Sequence, residues 1–405
     1  MRDLLLGREP ADLDIVTAAP PEAVAALFDR TIPIGAEFGV VAVVLDGHPY
    51  QVATFRREGP YLDGRRPAYV EYSDAVADVT RRDFTINALL YDPMADVVID
   101  HVGGRVDLER RVIRTVGPPA ARFAEDRLRL LRAARLAAEL GFEIERDTLD
   151  AISTLASTVA DVSGERVRDE LLRLLVAPGR AEGVRVLAAT GLLVAILPEV
   201  AALTGSQSRE GGDVLAHTSR VLELLRRPTA VLALATLLQY LDAASTVPQV
   251  CRRMRLSTAE TRAVTTLVAD HGRLRDLLGM GRPQALRLLR RGDAADLLEL
   301  YRVDCLAAGE ALTAYYLAAE TLAAGAGDLA GPPRLLSGND LIALGYAPGP
   351  KFTAMLDAVE DARARGEIAS ADEARAWILA RFPAGAASRA VEPSGGTVPD
   401  PDRGG

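Results

Sequence analysis

The sequence predicts a small α/β head joined to a long all-helical remainder. Strand-like β-branched runs separated by Gly and Pro turns recur from residue 1 to about 116, with short helical patterns between them. From Pro118 onward those runs almost vanish, and helical periodicity rich in Ala, Leu and Arg replaces them. In order, "ADLDIVT" carries two acids, and "PPEAVAALF" reads as a short helix. "FGVVAVVL", "PYQVATF", "NALLYD", "DVVID" and "RVIRTV" are the strand candidates. "EDRLRLLRAARLAAEL" reads as a helix that stops at Gly141. Further helices run to about residue 325, and "AAGAGDLAGPPR" reads as a linker to a last helical piece, "SGNDLIALGYAPGPKFTAMLDAVEDARARGEI". The final "PAGAASRAVEPSGGTVPDPDRGG" has the composition of a disordered tail.

With 405 residues the chain has room for two to four domains, and 49% hydrophobic with 25% charged residues is an ordinary globular composition. No apolar run reaches membrane-spanning length, and the start carries charges where a secretion signal would have an apolar core. A cytoplasmic protein with no membrane partner is expected. Cys251 and Cys305 stand far apart without metal-type spacing, which excludes a disulfide framework and a cysteine-based zinc site. The formal charge of −9 argues mildly against nucleic acid, although binding is local and net charge a global sum. Lys351 is the only lysine, so arginine abundance reads mainly as coding bias.

Four stretches carry chemistry. On a strand, Asp12 and Asp14 would present both carboxylates to one spot, a hard-oxygen site for Mg²⁺; a solvated turn is the alternative. In "RRDFTINALLYD", Arg81 and Arg82 can bind phosphate oxygens, Asp83 can accept from a ribose hydroxyl, and Asn87 can add a polar contact. The alternative is a charged helix end before a buried strand. In "DHVGGRVDLERRVIRTVG", Asp100, Gly103, Gly104 and Asp107 read as a tight turn opening a short helix, a structural hinge. On the "EDRLRLL" helix, Asp126, Arg129, Arg132 and roughly Arg135 recur three residues apart as one polar stripe; a solvated face with a Glu125–Arg129 pair is the competing reading.

In this order and spacing the stretches resemble the tRNA nucleotidyltransferase and poly(A) polymerase family, specifically its bacterial class II CCA-adding branch. "RDLLLGREPADLDIVT", "GAEFGVVAVVLDGHPYQVATFR", "REGPYLDGRRP", "RRDFTINAL", "DHVGGRVDL", "EDRLRLLRAARLAAELGF" and "SGNDLIALGYAPGPKF" match nearly the whole chain in order. The resemblance implies a polymerase β-like nucleotidyltransferase head over 1–117, a base-reading helical neck over 118–178, a helical body over 179–330 and a tRNA-binding tail over 331–382, with a disordered end over 383–405. It implies transfer of C and A from CTP and ATP to a tRNA 3′ end. Asp12 and Asp14 map to the Mg²⁺ ligands, Arg82, Asp83 and Asn87 to the nucleotide sugar and phosphates, and Asp126, Arg129, Arg132 and Arg135 to the nucleotide pocket. Cytosine and adenine each present an amine donor beside a ring-nitrogen acceptor, which one Asp and one Arg can read; uracil and guanine reverse that order.

The chain departs from the family pattern at three places. A strand and Gly-Gly turn that hold the triphosphate are expected before Met1, Arg2 and Asp3, of which Arg2 and Asp3 belong to the nucleotide site; a misplaced start codon or a real truncation would explain their absence. "EGGDVLAHTSRVLELL" resembles the entry to an HD-type phosphohydrolase domain with His217 in place, but Gln239 and Tyr240 stand where its His-Asp pair belongs, so a degenerate module without hydrolase activity is expected; His271 reads as a remnant or a surface histidine. Gln51 stands where many relatives have an acid. Alternatives within the family are addition of A alone, CC alone or poly(A); outside it, a non-catalytic tRNA-binding remnant. Oligomeric state is not readable.

Overall fold

The computed structural model describes residues 1–10, 13–35, 39–59, 68–207, 212–280, 282–324, 334–349, 351–364 and 366–382. The linker and terminal tail expected from composition lie largely or wholly outside them. The chain divides into two compact units, Met1–Arg275 with Ala295–Tyr315, and Asp276–Ala294 with the residues from Tyr316 onward.

The first unit opens with α1 (Arg2–Leu5) and a four-stranded mixed sheet of order β1–β4–β3–β2. Its strands are β1 (Ile15–Thr17), β2 (Thr31–Gly35), β3 (Val40–Leu45) and β4 (His48–Thr54). β1 runs parallel to β4 and the other neighbours are antiparallel. Alternate valines of β3 and β4, namely Val41, Val43 and Val52, pack against Val24 of α2 (Pro21–Ala25). Val16 and Phe55 join a second cluster around Val79, Ala88, Leu90 and Val116, so the head buries apolar side chains in two separate layers. β5 (Arg56–Glu58) pairs with β6 (Val70–Tyr72), and α3 (Ala75–Thr80) follows. β7 (Leu90–Asp92) and β8 (Val97–Ile99) form a hairpin, and α4 (Gly104–Arg110) leads into β9 (Val112–Ile113).

The stretch expected as the neck holds α5 (Pro119–Glu125), α6 (Leu128–Leu140), α7 (Arg146–Leu155) and α8 (Gly164–Val176). α6 buries ten of its thirteen residues and is therefore enclosed nearly all round. It ends where expected, at Gly141 with φ +69°. Among the described residues one strand lies past residue 118: β10 (Glu143–Ile144) pairs with β9, because the extended chain after Gly141 lets Glu143 N and Glu145 N donate to Arg111 O and Ile113 O.

Two sequence expectations change. The "EDRLRLL" segment is not one helix: α5 stops at Glu125, and Asp126 is extended at φ −144°, ψ 106°. Its carboxylate instead accepts from Leu128 N at 3.1 Å, the local side-chain bond by which aspartate competes with a helix. Asp14 likewise precedes β1 rather than lying on it. Beyond the neck the first unit is helical among the described residues; in Ala230–Leu238 every residue from Leu232 on is buried. The second unit holds Gly338–Ala343, Lys351–Ala364 and Ala371–Arg381 around a core of Leu341, Met355, Val359 and Ile378. No helix among the described residues is long and apolar enough to cross a membrane.

Candidate nucleotide-binding active site

The turn after α3 gathers the head's polar groups. Asp83, nearly buried, accepts from Phe84 N at 2.8 Å and from Asn87 Nδ2 at 3.1 Å on the same oxygen. Arg132 Nε meets its other oxygen at 2.8 Å, reaching from α6. Arg82 donates to Asn87 O at 3.1 Å and pairs with Asp78 at 3.2 Å. Arg2 clasps Asp3 and donates to Asn87 Oδ1 at 2.8 Å, which ties α1 to this turn. The Arg2 hydrogen bond to Asp3 also holds the Asp3 carboxyl below its ordinary range.

The neck supplies a second group. Arg129 pairs with Glu125 at 2.6 Å and reaches back to Arg81 O at 3.4 Å. Asp126 pairs with Arg166 of α8 at 2.7 Å. Arg129 and Arg132 thus both face the head turn, but Arg135 does not. It is 2% exposed and locked into Glu139 and Glu170. Each three-residue step falls about 60° short of a full turn, so the expected stripe has rotated into the α6–α8 interface by Arg135. Arg135, expected to line the nucleotide pocket, thus lies in the α6–α8 interface.

Asp12 lies outside the described residues. Asp14 is exposed one residue before Ile15, which pairs with Val52 of β4. Gln51, also exposed, is the preceding residue of that neighbouring strand.

Sequence reasoning missed Asp78 and Arg166, and read Asp107 only as part of a hinge. Asp78, 1% exposed, pairs with both Arg81 and Arg82 and so fixes the start of the turn. Its spacing three and four residues ahead of the arginines was the available signal. Asp100 lies behind the same region, where its carboxylate accepts from the amides of Val102, Gly103, Gly104 and Arg105. Burial pushes this acid up, but the four amides outweigh it and its pKa is lowered. The hinge reading of "DHVGGRVDL" agrees with this geometry.

Residues 1–114 match the family model of the Poly A polymerase head domain, and residues 141–204 that of the "Probable RNA and SrmB- binding site of polymerase A". The solved CCA-adding enzyme of Bacillus stearothermophilus in complex with CTP is 30% identical, with TM-score 0.70 over 94% of this chain and 91% of that one. The chain belongs to the CCA-adding enzyme family. Its head is accordingly of the polymerase β-like nucleotidyltransferase type. The CCA-adding enzyme of Bacillus pumilus is 45% identical over 193 residues, 47% of this chain and 48% of that protein. That of Geobacillus kaustophilus is 46% identical over 203 residues, half of each. The chain thus matches about half the length of these curated relatives. The Thermotoga maritima CCA-adding enzyme complexed with tRNA, 21% identical at TM-score 0.59, shares the fold.

The body departs from a metal centre in a way the HD-like reading left open. His217 Nε2 lies 2.9 Å from Asp304 Oδ1, and Arg275 meets the other Asp304 oxygen at 2.6 Å. Burial raises the Asp304 pKa, but His217 and Arg275 outweigh it and hold the acid low. Tyr240 packs edge-on against the His217 ring at 5.9 Å. Gln239 is 3% exposed, with no hydrogen bond to either side-chain amide atom. His271 Nδ1 lies 2.7 Å from Val268 O just past the helix Thr258–Asp270, a local contact.

Proposed function

We propose that the protein is an Mg²⁺-dependent nucleotidyltransferase that adds C and A from CTP and ATP to the 3′ end of tRNA. The observation that carries this is the meeting of two sets of groups. Arg132 joins Asp83 at 2.8 Å and Arg129 approaches Arg81 O at 3.4 Å, so base-reading and sugar-reading residues share one site. Asp126 accepts the exocyclic amine of C or A, and Arg129 donates to the adjacent ring nitrogen. Asp83 accepts from a ribose hydroxyl, Asn87 braces it, and Arg2 and Arg82 face the phosphates, with Asp3 orienting Arg2. The exchange of Asp126 from Arg166 to a base, and of Arg129 from Glu125 to the same base, is the conformational demand of binding.

For the metal, Asp14 is an exposed hard-oxygen donor at the sheet's β1 edge, and Asp12 is two residues away in sequence. That donor set fits Mg²⁺, which takes one or two carboxylates and completes its shell with substrate phosphates and water. When bound, the ion supplies charge stabilisation at the primer 3′-hydroxyl and the departing pyrophosphate. The test is incubation with tRNA lacking its 3′ CCA and each nucleotide in turn. Incorporation of C and then A, without U or G, is expected, and it is abolished in Asp14→Ala. Addition of A alone or of C alone would replace this reading by a narrower specificity. Binding of tRNA with no addition at all would leave a non-catalytic binder.

A further inference from the structure

The turn that carries Asp83, Thr85 and Asn87 is held from behind by groups that bear no role in nucleotide contact. Thr85 is 2% exposed and is constrained at three atoms. Its N–H donates to Arg114 O at 2.9 Å, its carbonyl accepts from Ala88 N at 3.0 Å, and its hydroxyl donates to Asp107 Oδ2 at 2.7 Å. Asp107, on α4, is itself 4% exposed and is paired with Arg114 at 3.2 Å. Gly104 seals the arrangement, because a Cβ there would stand 2.2 Å from Thr85 O.

We propose that Thr85 and Asp107 are positioning residues for sugar recognition: their hydrogen bond sets the angle at which Asp83 and Asn87 meet the nucleotide ribose. The inference rests on the sugar-binding role proposed above for Asp83. A buried hydroxyl–carboxylate bond contributes only modest net stability, so packing alone does not account for it. What the hydroxyl–carboxylate bond adds is direction, since a hydrogen bond weakens steeply with angle and an apolar contact does not. That direction is transmitted over a very short path. Phe84 N and Asn87 Nδ2, on either side of Thr85, both donate to Asp83 Oδ1, so a rotation of Thr85 moves the carboxylate and its brace together. Val116 N, donating to Asp83 O at 3.1 Å, anchors the other end of the turn.

Single-turnover incorporation of ATP against 2′-deoxy-ATP, and of CTP against 2′-deoxy-CTP, tests this in Thr85→Val, Thr85→Ser, Asp107→Ala and Asp83→Asn. Loss of one well-aligned contact predicts that Thr85→Val and Asp107→Ala, which removes the acceptor, lower the ribose-to-deoxyribose ratio about tenfold. Thr85→Ser keeps the hydroxyl and retains the parent ratio, and the choice of C and A over U and G stays unchanged in the Thr85 and Asp107 variants. A Thr85→Val that slows ribo- and deoxynucleotides equally would reduce the pair to packing and overturn the proposal. Should thermal unfolding show that Thr85→Val does not fold, Asp107→Ala decides on the same ratio. An unchanged ratio in Asp83→Asn would instead overturn the sugar role of Asp83, which keeps the two failures distinguishable.

Discussion

Asp126 and Arg129 are two steps of the chain apart from being neighbours, yet each has its own counter-ion, Arg166 and Glu125. Those partners hold both side chains in place until a base exchanges its own edge for them. Asp126→Ala removes the acceptor, and the ratio of C and A to U and G incorporation is expected to fall by about 1–3 kcal/mol of discrimination. Arg129→Ala should cost more overall rate, because Glu125 then loses its 2.6 Å partner as well. Single-turnover addition with each nucleotide reads both effects. Unchanged preference in the two variants would place base reading elsewhere in the molecule.

Short elements with irregular ends carry the site. Asp126 is available only because α5 and α6 are separate helices and the residue between them is extended. The two glycines ahead of α4 serve different ends: Gly103 has φ +81°, whereas Gly104 is required by its approach to Thr85 O. Gly104→Ala therefore forces the backbone of the nucleotide turn to shift, with an expected cost of about 1–3 kcal/mol, the range for overpacking a filled interior. Urea unfolding measures this, and an unchanged midpoint would mean that α4 yields freely. Gly103→Ala strains φ instead and should leave ribose discrimination nearer the parent value.

Two properties belong to the whole molecule. The tRNA binding proposed above requires local arginine clusters on a chain of formal charge −9. Its affinity is expected to fall linearly on a log–log plot with salt, the slope counting phosphate contacts. A salt-independent affinity would contradict an arginine-borne interface. Stability of the body is tied to the buried Asp304, which bridges His217 and Arg275. Its folded pKa lies below its ordinary value of 3.8, so its contribution is full above that pH and is lost as pH falls through the lower, folded value. Asp304→Asn should lose about 1–3 kcal/mol at neutral pH by removing the carboxylate from His217 and Arg275, although Arg275 keeps Glu310 at 3.1 Å, and the gap from the parent should narrow below pH 3.8. A gap that stays constant with pH in equilibrium unfolding would show that the charge is not what matters.

The sequence by itself determined the α/β head, the helical remainder and the family, because strand and helix periodicities and short motifs are local patterns. It also identified the residue types that meet at the nucleotide turn. Tertiary structure alone decided their partners. The bonds from Arg132 to Asp83, from Arg166 to Asp126 and from Thr85 to Asp107 join residues 49, 40 and 22 positions apart, distances at which spacing carries no geometric information. The same holds for Arg135, whose charge suggested a ligand contact and whose helical angle turned it inward between Glu139 and Glu170. Only tertiary packing brought Arg275 and His217 onto Asp304, 29 and 87 positions away. Local pattern fixes what an element is; which side chains it presents to one another is set when the elements dock and every buried charge must find a partner.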